Sequence, residues 1–251
     1  MPKRIIFALQ KGGVGKTMST VATAEVFAAA GYRVLVVDLD SQGNATKMLT
    51  GNSIYEYTGN TIMEAMQHGT VEPYIVNVKE GLDVIPAEDR LATFSRFIYT
   101  NKITNPYAIL KRLLAKVESR YDFVFVDVGP SLGDAVINAI VYADYIIAPV
   151  DLGDLAMDAL VRFMEFVEDL GAEGHTRAEI VGILLTMRDG RSKYEREISD
   201  GIRAAFGNLV FDTEIRRRVK IKEMSARGVD LVEPAMEDYL ALAEEIIERV
   251  K

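Results

Sequence analysis

The stretch Gln10-Lys11-Gly12-Gly13-Val14-Gly15-Lys16-Thr17 decides how the rest of the chain is read. An apolar run, Arg4-Ile5-Ile6-Phe7-Ala8-Leu9, precedes it, and a helical pattern over residues 18–30 follows. Glycines between a strand and a helix N-terminus let successive backbone N–H groups point into one concavity, where they and the helix dipole attract a chain of phosphates. The usual pattern, Gly-x-x-x-x-Gly-Lys-Ser/Thr, asks for glycine at position 10; here Gln10 stands there and a second lysine, Lys11, follows it. Lys16 alone suffices for the phosphates of one nucleotide. Lys11 is then either solvated or has a further task.

Working outward, Gly31 suits the position just past the first helix, and residues 33–37 read as a buried parallel strand that runs into Asp38-Leu39-Asp40-Ser41-Gln42-Gly43-Asn44. Carboxylates at the C-terminal ends of strands in an open α/β sheet lie where ligands bind, which makes Asp38 and Asp40 site candidates; the bland alternative is that they cap a turn. The clearest strand, residues 121–127, ends in Asp127, followed by Val128-Gly129-Pro130-Ser131. An acid there in a nucleotide-binding sheet holds Mg²⁺ beside the hydroxyl of Thr17.

Other strands are expected at 82–86, 145–150 and 180–187. Helices are expected at 61–67, 88–100, 107–119, 134–143, 155–170 and 235–250. Alternating strands and helices specify an α/β fold with a mostly parallel twisted sheet and helices on both faces. Without a repeat, low-complexity tract or linker, residues 1–251 are expected to form a single domain. Asn101-Lys102-Ile103-Thr104 resembles a guanine-reading loop but lacks its aspartate.

Composition narrows the chemistry. The chain has 251 residues, 49% of them hydrophobic, and no cysteine, so disulfides, thiolate metal sites and a cysteine nucleophile are excluded. No apolar run approaches the ~18 residues of a membrane span, and the first residues lack the layout of a signal peptide; a cytoplasmic protein is expected. The net charge of −8 argues against a protein coated in nucleic acid but permits a local basic face. Residues 187–228 supply one, with eleven basic and seven acidic residues, a net of +4. Such a face would act on phosphates without reading bases. In the last expected helix, Met236, Tyr239, Leu240, Ala243, Ile246, Ile247 and Val250 form a stripe expected to pack on the sheet. Its polar side is acidic, unlike that of a membrane-surface helix.

Four segments together resemble a known family: Lys-Gly-Gly-Val-Gly-Lys-Thr at 11–17, Asp-Leu-Asp-Ser-Gln-Gly-Asn at 38–44, Asp-Val-Gly-Pro-Ser-Leu-Gly at 127–133 and Leu-Leu-Thr-Met-Arg-Asp-Gly-Arg at 184–191. In this order they are similar to the ParA/Soj partition ATPases, the P-loop NTPases of the deviant Walker A group. The resemblance implies an ATP- and Mg²⁺-dependent homodimer with ATP sandwiched between subunits. Lys11 would reach the partner's phosphates, Lys16 would hold those of its own nucleotide, and Asp40 would orient the attacking water. Thr17 and Asp127 would order Mg²⁺, with Asp38 supporting its shell. The nucleotide-binding set would comprise Lys11, Gly12, Gly13, Val14, Gly15, Lys16, Thr17, Met18, Met187 and Arg217.

Members of this family bind nonspecific DNA in the ATP state, and a ParB-type centromere-binding partner stimulates their slow hydrolysis. On this chain the DNA contacts would fall on Arg188, Arg191, Lys193, Arg218, Lys220 and Lys222, and the protein would be cytoplasmic and nucleoid-associated. The resemblance departs at Met18, at Gly129-Pro130 and at Arg216-Arg217, where the family often has threonine, a proline pair and a proline–arginine pair. Two alternatives share the chemistry: an ATPase that positions a protein cargo on the nucleoid, and a MinD-like division-site ATPase.

Overall fold

A computed structural model describes residues 1–189 and 192–250, with the side chains of Lys222, Ser225, Ala226 and Arg227 left aside. Branched and aromatic runs build the strands β1 (Lys3–Phe7), β2 (Val34–Leu39), β3 (Val76–Lys79), β4 (Leu82–Ile85), β5 (Phe123–Val128), β6 (Tyr145–Asp151) and β7 (Glu179–Thr186). They form one sheet in the order β3-β4-β2-β5-β1-β6-β7. Every pairing is parallel except β3 with β4, an antiparallel edge. The chain leaves β1 toward β2 on one side and later returns to β6 on the other, so β1 ends at the switch point where ligands bind in open α/β sheets.

The intervening helices are α1 (Lys16–Ala29), α2 (Asn44–Thr50), α3 (Ile62–His68), α4 (Phe94–Thr100), α5 (Ile109–Leu114), α6 (Asp134–Tyr142), α7 (Ala156–Ala172), α8 (Lys193–Phe206), α9 (Val219–Arg227) and α10 (Glu237–Arg249). Alternate strand residues point to two cores. One lies beneath α3 to α7 and takes Ile6, Leu35, Val124 and Ile146. The other lies beneath α1, α2, α9 and α10 and takes Ile5, Phe7, Val36 and Phe125. Phe27 of α1 meets Phe123 and Phe125 edge-on, with centroids 4.5 and 5.5 Å apart, so aromatic packing seats the C-terminal end of α1 on the sheet, away from the phosphate loop. In the β2–β5 ladder Asp38 pairs with Asp127, and in the β1–β5 ladder Phe7 pairs with Asp127. The two acids therefore reach the same level of the sheet as the last residue of β1.

Three expectations change. The helix expected over 88–100 begins with a tight 3₁₀ turn, Asp89–Thr93, which keeps Leu91 buried before α4 starts. The helix expected over 107–119 shrinks to α5, because Asn105 at φ 55° and Pro106 delay its start and a second 3₁₀ turn, Glu118–Arg120, ends it. On α10 the buried stripe is Tyr239, Leu242, Ala243, Ile246 and Val250, whereas Leu240 and Ile247 are exposed. The main neighbour of α10 is α1 and not the sheet, and α1 covers a narrower side than the whole apolar stripe. No helix among the described residues is long and apolar enough to cross a membrane.

Candidate nucleotide site

The cradle is built by backbone. Gly13 at φ 75° and Gly15 at φ 84° adopt left-handed conformations that turn the loop over the start of α1. Space above Gly12 and Gly13 is open, so a phosphate could approach the bare backbone there. Gly15 caps α1 without any side-chain hydrogen bond, which leaves the first N–H groups of the helix to a ligand. The loop is fastened at Val14, buried, whose carbonyl accepts the Thr186 hydroxyl at 3.0 Å.

Two lysines leave this loop in different directions. Lys16 is only 7% exposed, and its Nζ donates to the carbonyl of Lys11 at 2.7 Å. Burial lowers its pKa, and the negative charges of Asp127 and Asp40 oppose that shift. Lys11, by contrast, makes an ion pair with Asp151 at the end of β6, and both side chains are about 30% exposed. In the single subunit Lys11 thus faces its own chain.

The acids differ as sharply. Asp38 is fully buried and already engaged: one oxygen accepts from the Thr46 amide at 2.8 Å and its hydroxyl at 2.7 Å, the other from the Asp40 amide at 3.2 Å. Burial pushes its carboxyl up to about 6 against those hydrogen bonds. Asp127 is equally buried, yet neither of its oxygens has a hydrogen-bond partner among the described residues. Burial first, then the charge of Asp38, holds its carboxyl well above the usual range; the Thr17 hydroxyl beside it opposes the rise but falls short of a well-formed hydrogen bond. Two unsatisfied carboxylate oxygens next to a hydroxyl and the phosphate cradle fit a divalent cation. Asp38, its oxygens occupied, fits a supporting place behind that cation and carries the backbone of Asp40.

Asp40 is half-buried and stands over the Gly129-Pro130 loop: a Cβ on Gly129 would meet its carboxylate carbon at 3.4 Å. Its Oδ1 accepts the Gln42 amide at 3.1 Å. Gly43, at φ 59°, closes the same turn, and a Cβ there would come within 2.6 Å of Ile54 and 2.7 Å of the Ala87 carbonyl. Only glycine fits.

Between the cradle and the segment after α8 lies a cleft of about 920 Å³. Gly12, Gly13, Gly15, Lys16, Thr17 and Met18 line one end, Asp40 and Pro130 the middle, and Met187, Ile215, Arg217, Val219, Ile221 and Tyr239 the other. The far wall is an extended segment laid beside β7, with the Ile215 amide on Leu185, the Arg188 amide on Ile215 and the Arg217 amide on Arg188. Met187 takes φ 57°, uncommon for a residue with a side chain, and brings its methyl toward Gly15. Asn44, Thr186 and Tyr239 also belong to the cleft, and sequence reasoning did not place them in the site. Asn44 ends the quoted 38–44 stretch and could have been found there; Tyr239 sits in an ordinary helical stripe and gives no signal.

Among the described residues, Arg218 is the one expected DNA contact that lines this cleft, and Arg188, Lys193 and Lys220 lie outside its lining. Lys193 is 89% exposed near Glu197, and Lys220 is 56% exposed within 3.0 Å of Glu223. Arg218 is 25% exposed and bonds the Pro234 carbonyl at 3.0 Å. Arg188 turns inward to Glu214 at 2.7 Å and is 14% exposed. Arg191 and the side chain of Lys222 lie outside the described residues.

A family model described as an AAA domain matches residues 2–180. The chromosome-partitioning ATPase Soj of Thermus thermophilus is 32% identical over 257 residues, spanning 99% of this chain and 97% of the relative. The chain belongs to the ParA/Soj family. Among solved structures, a plasmid partition protein from Borrelia burgdorferi bound to AMPPNP is 25% identical with a TM-score of 0.85, covering 99% of each chain. Cobyrinic acid a,c-diamide synthase from Mycobacterium smegmatis, with bound ADP and magnesium, is also 25% identical, with a TM-score of 0.86 over 99% of this chain and 95% of that one. One fold thus carries both a partition protein and a synthase, and the family assignment rests on the ParA/Soj sequences. The doubled lysine of the cradle, one buried and one half-buried against Asp151, is carried within that family fold.

Proposed function

We propose that this ParA/Soj chain is a partition ATPase that works as a nucleotide-gated, DNA-binding dimer. The observation that carries the reading is the buried, unpartnered Asp127 beside a cradle bearing two lysines, one turned inward and one at the rim. Lys16 neutralises the phosphates of its own nucleotide. Mg²⁺, held by Thr17 and Asp127 with Asp38 behind, would add positive charge at the phosphate oxygens. Asp40 orients the attacking water, placed for it by the Asp38 contact to its amide. Lys11 leaves Asp151 when a second subunit arrives and takes up the partner's phosphates, which makes dimerisation depend on ATP.

Dimerisation doubles the phosphate contacts offered to DNA, so a weakly basic monomer becomes a useful binder only in the ATP state. Exposed Lys193 and Lys220 are the first candidates, with Arg218, Arg191 and Lys222 beside them in sequence. Arg188 serves by ordering Glu214 instead. A ParB-type partner would stimulate slow hydrolysis and release, and the protein would reside in the cytoplasm on the nucleoid. A membrane role finds less support: the exposed Leu240 and Ile247 of α10 are flanked by Glu237, Glu244 and Glu248, where an interfacial helix carries lysines.

The test is binding to a nonspecific DNA duplex with ATP, ADP or no nucleotide, at two salt concentrations. ATP should give the tightest complex, and salt should weaken it steeply. Equal affinity with ATP and ADP would remove the mechanism.

A further inference from the structure

Across the sheet from α9, residues 94–120 hold six basic residues and one acid, Glu118, a net of +5 within a chain of −8. Glu118 is turned to the Tyr142 hydroxyl at 3.0 Å, and Arg120 lies 3.7 Å from Glu72. The other five, Arg96, Lys102, Lys111, Arg112 and Lys116, are exposed, and no ion pair joins any of them to a carboxylate among the described residues. On an acidic protein this is an uncompensated positive surface.

The surface has a hole in it. A cavity of about 260 Å³ opens between α3 and α5, floored by Met66, Ile103, Ile109 and Leu113 and rimmed by Arg112 and Lys116. Arg112 on α5 and Lys116 in the turn just past its end are aimed by backbone carbonyls, Arg112 by that of Asn105 at 3.2 Å and Lys116 by that of Gly69 at 2.5 Å. Ile103 is held between Lys102 at φ 49° and Asn105 at φ 55°, left-handed conformations that cost free energy in residues with side chains and collect at binding sites.

The chemistry selects the occupant. The cavity is smaller than the roughly 300–1,000 Å³ of small-molecule sites and suits one apolar side chain. A DNA backbone would satisfy the cations but would leave an apolar floor in water. We propose that the α3–α5 surface docks an acidic peptide segment of a partner protein, one apolar side chain seated over Ile103 and Leu113 and flanking carboxylates on Arg112 and Lys116. This surface is independent of the nucleotide reading, since none of its residues belongs to the cleft.

A phage-displayed library of random dodecapeptides, panned on the full chain and counter-selected on Arg112→Glu/Lys116→Glu, tests it. Enriched peptides should combine acidic residues with one large apolar residue and bind the double variant at least about tenfold more weakly. The double variant should keep the wild-type unfolding midpoint, its altered side chains being exposed; the milder Arg112→Gln/Lys116→Gln should lose affinity to a smaller degree. Methyl NMR should place the bound peptide at Met66, Ile103 and Ile109. Failure to enrich acidic sequences, or equal binding to wild type and variants, would overturn the proposal. So would a short DNA duplex that displaces the peptides and suffers the same loss in the double variant.

Discussion

Asp40 just past the end of β2 and Asp127 near the end of the neighbouring β5 face the same cradle, and their surroundings divide the work between them. Asp127 has two bare oxygens in a dry place and suits a cation, whereas Asp40 is half-buried, held by its amide to Asp38, and free to meet water. Asp40→Ala should leave ATP binding intact and cut hydrolysis by roughly 10²-fold or more, measured as phosphate release; unchanged turnover would shift the role elsewhere. Asp38 carries a pH signature. Its carboxyl, ordinarily at 3.8, sits at about 6 in the folded protein. The native state keeps a proton that the unfolded chain gives up between those values, so this contribution to stability is complete below 3.8 and is lost as pH rises through about 6. Thermal unfolding of the nucleotide-free protein across that window should show a midpoint that falls with rising pH. Asp38→Asn should flatten the fall.

Among the elements, β7 and the extended segment beside it carry the far wall of the cleft, and Gly182 is what lets them meet. A Cβ on Gly182 would lie 1.9 Å from Phe211, whose ring also faces the Arg249 guanidinium at 4.1 Å. Gly182→Ala should therefore cost about 2–3 kcal/mol and lower the melting temperature by about 5–10 °C, by calorimetry. Strands were legible from sequence because apolar runs stopped by a carboxylate, as at Asp38 and Asp127, state both the element and its ligand-facing end. The short edge β3 was not, since Val76 and Val78 alternate with Asn77 and Lys79 over only four residues. Helix α8 escaped for another reason: only Ser199 and Ile202 of its fourteen residues are buried, too few for a visible period. The width of the α10 stripe misled because sequence shows which residues are apolar and not how much of a helix its neighbours cover.

At the scale of the whole molecule, the sequence named the phosphate loop, Asp40 and Asp127 but was silent on the Lys11–Asp151 pair, which joins residues 140 positions apart through the meeting of β1 and β6. Lys11→Ala should keep ATP binding and lose the ATP-dependent dimer, as read by light scattering; a dimer that persists would return Lys11 to a local role. DNA affinity in the ATP state should fall with it, because the doubled surface is lost. The single hydroxyl of Thr186, bonded to the Val14 carbonyl, has a mechanical meaning as well. It rivets the phosphate loop to the end of β7, and two residues further on the Arg188 amide and carbonyl clasp the chain that continues into Arg217 and α9. The chain that leads into the basic helix is therefore joined to the cradle through a short series of hydrogen bonds, so a displacement of that helix is expected to be felt at the proposed phosphate site.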